Sequence, residues 1–176
     1  GQEQRMEKHL KLFRELWVNV EKLARSCASY GGGVAIEWPA NCDYWDNEKV
    51  QTLISDLCLE KARFHGCAFG LVSMVNGLPM LKPWAVATNV PSMKEVLDNH
   101  KSPGYEAHPR HQVVQGKDTK LTEGYTTPMV KAIIAAWLQA TEDPITKITK
   151  KMGHPREYNN DPVRAAPAVK EHVPIM

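Results

Sequence analysis

The sequence predicts an α/β fold: a three-layer, Rossmann-like partial sheet, mixed in direction and carrying an antiparallel hairpin, with a long N-terminal helix and an extended C-terminal arm. Three observations predict it. A helical apolar period over residues 3–28 runs through a triple glycine into a short apolar stretch. That stretch, a helix-period segment and a second apolar region then follow in order, as strand, helix and parallel strand do in a layered sheet. Within the second region stands Asn76-Gly77, the strongest hairpin signal in the chain.

The elements follow in chain order. Met6, Leu10, Phe13, Leu16, Trp17, Val20, Leu23, Ala24 and Cys27 recur at steps of three and four residues, the stripe of an amphipathic helix. Gly31-Gly32-Gly33 ends it, because glycine takes the left-handed cap without steric cost. Val34 to Glu37 reads as a short parallel strand buried on both faces, stopped by Pro39. Asn41 to Asp46 is a polar, aromatic loop. Asp46 or Asn47 caps the next helix, which bears Val50, Leu53, Ile54, Leu57 and Cys58 on one face.

Lys61 to Val75 is the second strand region, and Leu78 to Thr88 runs back antiparallel to it. Pro79 and Pro83 mark the returning strand as irregular or at an edge. Ser92 caps a short helix carrying Met93, Val96 and Leu97. Residues 99–126 hold few apolar positions and read as a long loop, a length usually kept for function or binding. Thr126 or Thr127 caps a final helix with Pro128 in its first turn and a stripe of Met129, Ile133, Ala136, Trp137 and Ala140.

Residues 1–140 are therefore expected to form a single α/β domain. Residues 141–176 lack periodicity and carry Pro144, Pro155, Pro162, Pro167 and Pro174, the composition of a proline-rich arm with no core of its own. The arm is expected to pack along its own domain, or to bind a protein partner or a second copy of the chain.

The chain has 176 residues, 43% hydrophobic and 24% charged, which suits one domain that buries its core without staples. A net charge of +2 argues on overall charge against a strongly polyanionic or polycationic partner surface and leaves local patches open. No apolar run approaches the ~20 residues of a membrane span, and Gly1 to Arg5 lacks the pattern of a signal peptide. Cys27, Cys42, Cys58 and Cys67 form no Cys-x-x-Cys pair, so neither a zinc ribbon nor a thioredoxin-type motif is present. Cys27 and Cys58 continue apolar stripes and read as small buried hydrophobes. Reduced thiols and an intracellular location, cytoplasm or nucleus, are the simpler expectation.

Several groups carry candidate chemistry. Glu37 stands where a strand ends, the position at which open sheets bind ligands, and its carboxylate can accept from an amino group. The bland reading is an acid that caps a helix or pairs with a lysine. Cys67, in Gly66-Cys67-Ala68-Phe69-Gly70, is a nucleophile only with a basic neighbour and a depressed pKa. Lys82-Pro83-Trp84 joins a cation, a rigid turn and an aromatic, a group suited to a phosphate and a stacked base, or to covering a sheet edge. His100, His108 and His111, with Cys67 in reach, are weak zinc candidates, since His-x-x-His alone is unspecific; no metal is expected. Arg110, Lys117 and Lys120 are candidates to track a nucleic-acid backbone, diluted by Glu106, Asp118 and Glu123. Lys147, Lys150 and Lys151 add a second basic cluster. No dinucleotide fingerprint, Walker loop, nucleophile elbow or His-Glu-x-x-His is present.

Taken in order, Glu37-Trp38-Pro39, Trp45, Gly66 to Gly70, Lys82-Pro83-Trp84 and Thr88-Asn89 resemble a domain of Copia-like retroelement polyproteins. They are more distantly similar to the C-terminal half of phage-type DNA cytosine-5 methyltransferases. The resemblance spans roughly residues 30–116. It implies a sheet ending in an antiparallel hairpin and a strand-end glutamate, here Glu37, that contacts the target cytosine. The candidate ligand-binding residues of the chain are Glu37, Trp38, Trp45, Cys67, Lys82, Trp84 and Asn89. Trp38 stands where the family has asparagine, and Pro39-Ala40-Asn41-Cys42 lacks the family's proline–nucleophile adjacency. The family's glycine-rich cofactor loop belongs upstream, where this chain has one helix. The expectation is therefore a non-catalytic, methyltransferase-like module without a cofactor, binding nucleic acid or protein in a larger assembly. A scaffold subunit held by its C-terminal arm and an S-adenosylmethionine-dependent methyltransferase fragment are the alternatives.

Overall fold

The computed structural model describes residues 2–142. Its elements are α1 (Gln2–Ser29), β1 (Ala35–Pro39), α2 (Glu48–Asp56), β2 (Glu60–His65), β3 (Pro83–Thr88), α3 (Pro91–Asp98), α4 (Lys117–Leu121) and α5 (Thr127–Glu142). Single 3-10 turns at Asp43–Asp46 and Gly66–Phe69 precede α2 and follow β2. The proline-rich arm and the Lys147, Lys150 and Lys151 cluster lie outside the described residues.

The sheet has three strands in the order β1–β3–β2, and both pairings are antiparallel. The expected mixed sheet with a hydrogen-bonded parallel pair is therefore corrected among the described residues to an antiparallel one. β1 and β2 do run in the same direction, as a strand–helix–strand unit requires, but β3 is inserted between them. The reason lies in the strands themselves. Trp84, Ala85, Val86, Ala87 and Thr88 are all buried, so β3 needs cover on both faces and takes the centre. β2 alternates buried Ala62 and Phe64 with more exposed neighbours, and β1 is exposed at both ends, so each suits an edge. The expectation of a fully buried first strand is corrected. Of the two readings of the Leu78–Thr88 stretch the edge position is corrected, whereas its irregularity agrees with a ladder that holds only from Pro83 to Thr88 after a lone bridge at Pro79. Pro83 is tolerated centrally because it is the first residue of its strand.

Alternation along β3 divides the core. Trp84 and Val86 join Ala62 and Phe64 of β2 on the face that packs α3 and α5 through Met93, Leu97, Met129 and Ala136. Ala85 and Ala87 lie on the other face with Ile36 and Trp38 of β1, under Trp17 and Ala24 of α1 and Val50 and Leu53 of α2. The small alanines on that face leave room for the large aromatics that cover it.

Local signals explain most boundaries. Asn47 caps α2, its Oδ1 accepting from the Lys49 N–H at 3.0 Å. The Thr126 hydroxyl oxygen accepts from the Met129 N–H at 3.3 Å and caps α5. Asn76-Gly77 does turn the chain, with Gly77 at φ +69, but the hairpin is a stub with one bridge, Val72 to Pro79. The second strand region breaks at Gly66, where the 3-10 turn begins.

Two further expectations are corrected. Ser92 does not cap α3; its hydroxyl donates to the Ala136 carbonyl at 2.7 Å and ties α3 to α5. Cys58 is exposed at φ +50, because α2 ends at Asp56 with Leu57 as its C-cap, and the next residue turns out of the helical stripe. All four cysteines are free, and no helix of the described residues is long and apolar enough to cross a membrane.

Candidate functional site

Two clusters bring candidate side chains together. The first lies where β1 and β3 meet the segment leading into α5. Glu37 projects on the Val86 side of the sheet, and its Oε2 accepts from the Tyr125 hydroxyl at 2.5 Å. The Tyr125 ring stands edge-on to Trp84 with centroids 6.1 Å apart. The Lys82 ammonium lies 4.7 Å from the Trp84 ring centroid and donates to the Thr122 carbonyl.

Partial burial of the phenol, in a residue 46% exposed overall, raises Tyr125 above its ordinary range, and the bond to Glu37 raises it further. Burial lowers the Lys82 ammonium, partly offset by Glu37 and Glu123. Lys82 also holds φ +24, a conformation that side-chain-bearing residues rarely adopt. Beside this cluster a groove of about 460 Å³ opens between Asn41, Lys82, His111 and Val113.

The second cluster shares His111 with the lining of that groove. Cys67, in the turn after β2, and His108 and His111, on the long loop, place their ligand atoms within 4.8 Å of one another. Cys67 is buried and both histidines are half-buried. His100 is not part of the group: its ring stacks on Phe69 at 4.1 Å, and its Nδ1 lies 2.6 Å from the Val96 carbonyl one helical turn back.

The other expected ligand residues have internal partners. Trp84 is only 3% exposed, so neither face of its ring is open for a base to stack on. Trp45 is equally buried, its indole N–H donating to the Pro39 carbonyl at 3.0 Å. Trp38 is half-buried among Phe13, Trp17, Tyr44 and Trp45. Asn89 accepts from the Val34 N–H at 2.7 Å and joins the end of β3 to the start of β1.

Arg110, Lys117 and Lys120 are exposed. Asp118, which the sequence sets among them, is buried and accepts from the Ser73 hydroxyl at 2.7 Å and the Met74 N–H at 3.0 Å. Tyr125 is a site residue that the sequence does not mark. No local signal points to it, because its partner Glu37 is 88 residues away.

Comparison of the chain with protein-family models, with curated proteins and with solved structures finds no match.

Proposed function

We propose that the chain is a non-catalytic binding module that docks a second copy of itself through α1. The observation that carries this is an apolar arc on α1 wider than the surface covering it. Trp17 and Ala24 face the core, whereas Leu12, Leu16 and Leu23 are 53%, 54% and 73% exposed. A single exposed leucine is ordinary; three at helical spacing make a patch of the kind that marks a docking surface. The patch runs into an apolar groove of about 240 Å³ between α1 and β1, lined by Val20, Leu23, Ala35 and Ile36. An aliphatic stripe is complementary to itself, and a net charge of +2 gives copies little mutual repulsion. Leucines offer nothing to a phosphate backbone, which favours protein over nucleic acid at this face.

The test is the solution mass of the full chain by light scattering across a concentration series. The expected result is a dimer that the double variant Leu16→Lys, Leu23→Lys converts to a folded monomer. A parent chain that stays monomeric at every concentration overturns the reading.

A second reading, nucleic-acid binding within a methyltransferase-like or retroelement-derived assembly, is favoured by one observation. Withdrawal of Asp118 into the interior removes an acid from between exposed Lys117 and Lys120, with Arg110 also exposed on the same long segment. Its test is a salt titration of oligonucleotide binding. Exchange of all three cations for alanine reduces the salt slope by about 0.9 for each duplex-DNA phosphate that is no longer neutralised. Calorimetric binding of S-adenosylmethionine would favour the methyltransferase-fragment form of this reading.

A further inference from the structure

We propose that Cys67, His108 and His111 form a zinc site that staples the long loop to the end of β2. This goes beyond the docking function and does not depend on it. The three ligand atoms lie within 4.8 Å of one another, although Cys67 is far from the two histidines in sequence. The histidine rings stand nearly perpendicular, at 87°, with centroids 5.4 Å apart.

A second observation points to a ligand independently. Nδ1 of His108 is buried and has no hydrogen-bond partner among the described residues. Buried polar atoms without partners are rare in folded proteins, and a bound ion is one recognised reason for them. A cation gives this group of ring nitrogens and thiol the electrophile that it lacks.

The donor set selects the metal. One thiolate and two imidazoles suit zinc, which takes nitrogen and sulfur in tetrahedral geometry, whereas calcium and magnesium require oxygen. Bonds of about 2.0–2.3 Å place tetrahedral donors roughly 3.5 Å apart, so the side chains close by about 1 Å around the ion. Three protein ligands leave a fourth position for water.

His65 does not fill that position. Its Nδ1 accepts from the Ser102 N–H at 2.8 Å, which leaves the proton of the neutral ring on Nε2. Ser102 also places its Oγ 3.3 Å from Nε2 of His111, where it acts as the outer partner that orients a ligating imidazole. Ser102 thus connects β2, the loop and the cluster.

The site has a structural task. Between α3 and α4 the chain makes few backbone bonds: the His100 carbonyl accepts from the His65 N–H at the end of β2, the Gln112 N–H donates to the Pro79 carbonyl, and the His100 and His108 N–H groups donate locally to the Leu97 and Gly104 carbonyls. A metal joining Cys67 to His108 and His111 closes that span onto the sheet and couples its order to metal binding.

The test uses the full chain, purified without chelator and dialysed against metal-free buffer. The expected result is one zinc retained per chain by elemental analysis. Cobalt substitution is expected to give intense tetrahedral d–d bands and a thiolate-to-cobalt charge-transfer band. Cys67→Ser abolishes the charge-transfer band, and His108→Asn weakens zinc binding by at least about 100-fold, more than the loss of an outer-shell partner costs. Cys58→Ser, an exposed thiol outside the cluster, leaves the metal content and the spectrum unchanged. Should a ligand variant fail to fold, the parent's own cobalt spectrum still decides whether a thiolate is bound. A natively folded parent that retains no zinc, or a cobalt spectrum without thiolate character, overturns the proposal.

Discussion

The bond between Tyr125 and Glu37 has a consequence for pH. Tyr125 holds its proton in the folded chain beyond the ordinary tyrosine range, because burial and the Glu37 carboxylate both disfavour the phenolate. A group whose folded pKa is raised contributes stability that is complete below its unfolded pKa, about 10 for tyrosine, and is lost as pH rises above it. Urea midpoints of the parent should therefore fall as pH passes above about 10, and Tyr125→Phe should flatten that alkaline decline. Ultraviolet titration should show a phenol that ionises above the ordinary tyrosine range and that is lost in Tyr125→Phe. A decline identical in both proteins would mean that the Tyr125–Glu37 bond does not persist in solution.

Asn89 is a second residue whose role is structural geometry. Its Oδ1 accepts from the Val34 N–H, and the neighbouring Thr88 hydroxyl donates to the Val34 carbonyl at 2.7 Å. Together they latch the entry of β1 to the exit of β3. Asn89→Ala leaves the Val34 N–H without its acceptor and should cost about 1–3 kcal/mol in chemical denaturation. The order of sequence motifs singles out Asn89, and the latch gives it a role that needs no ligand.

At the scale of elements, α1 shows how a single stripe is divided. Trp17 is 3% exposed and anchors the helix, yet its indole N–H has no partner among the described residues. Trp17→Ala should cost about 3–5 kcal/mol and release α1 from the sheet, read as lost amide protection along the helix. Trp17→Phe should cost much less, since it keeps an aromatic anchor and removes an unsatisfied donor. Equal costs for the two variants would place the anchoring elsewhere. The sequence shows that α1 is amphipathic, but the same period fits Leu16 and Trp17 equally well. Which part of a wide apolar arc is covered depends on the width of the sheet beneath it.

α4 depends on a tertiary partner in the same way. Five residues, Lys117–Leu121, cannot sustain a helix alone. Asp118 holds the turn by accepting from the Ser73 hydroxyl and the Met74 N–H of the hairpin stub. Asp118→Ala should cost on the order of 2 kcal/mol, because a buried hydroxyl and a backbone N–H lose a charged acceptor. Hydrogen exchange at Met74 is the direct reading. In the sequence Asp118 stands only as a dilution of positive charge, since its partner lies 44 residues upstream.

β3 shows a signal that was present and outweighed. Pro83 and Pro79 argue for an edge, yet the continuous apolar run from Trp84 to Ala87 is the pattern of a strand covered on both faces. Burial of that run governs strand order. A proline at the first position of a strand costs no ladder bond that the centre of the sheet would miss.

For the whole molecule, zinc and self-association make separable predictions. Zinc at 100 times its dissociation constant should stabilise the parent by about 2.7 kcal/mol and leave Cys67→Ser unmoved, read as a shift in thermal midpoint. Dilution should not alter that difference, whereas it should dissolve a dimer formed through α1. A zinc effect that depends on protein concentration would merge the two sites into one.

The sequence by itself determined the long amphipathic helix, the glycine end of α1 and the turn at Asn76-Gly77, and it narrowed the caps of α2 and α5 to Asp46 or Asn47 and to Thr126 or Thr127. It also named Glu37, Cys67, His108 and His111 as chemically notable. These are local facts: a helical period, a cap and a left-handed turn are each settled within a few residues. Only the tertiary structure decided that β3 lies between β1 and β2, that Tyr125 meets Glu37, and that His100 turns away while Cys67 joins His108 and His111. Those outcomes join residues tens of positions apart. They follow from which apolar surfaces bury one another best, a competition across the whole chain that no short window contains.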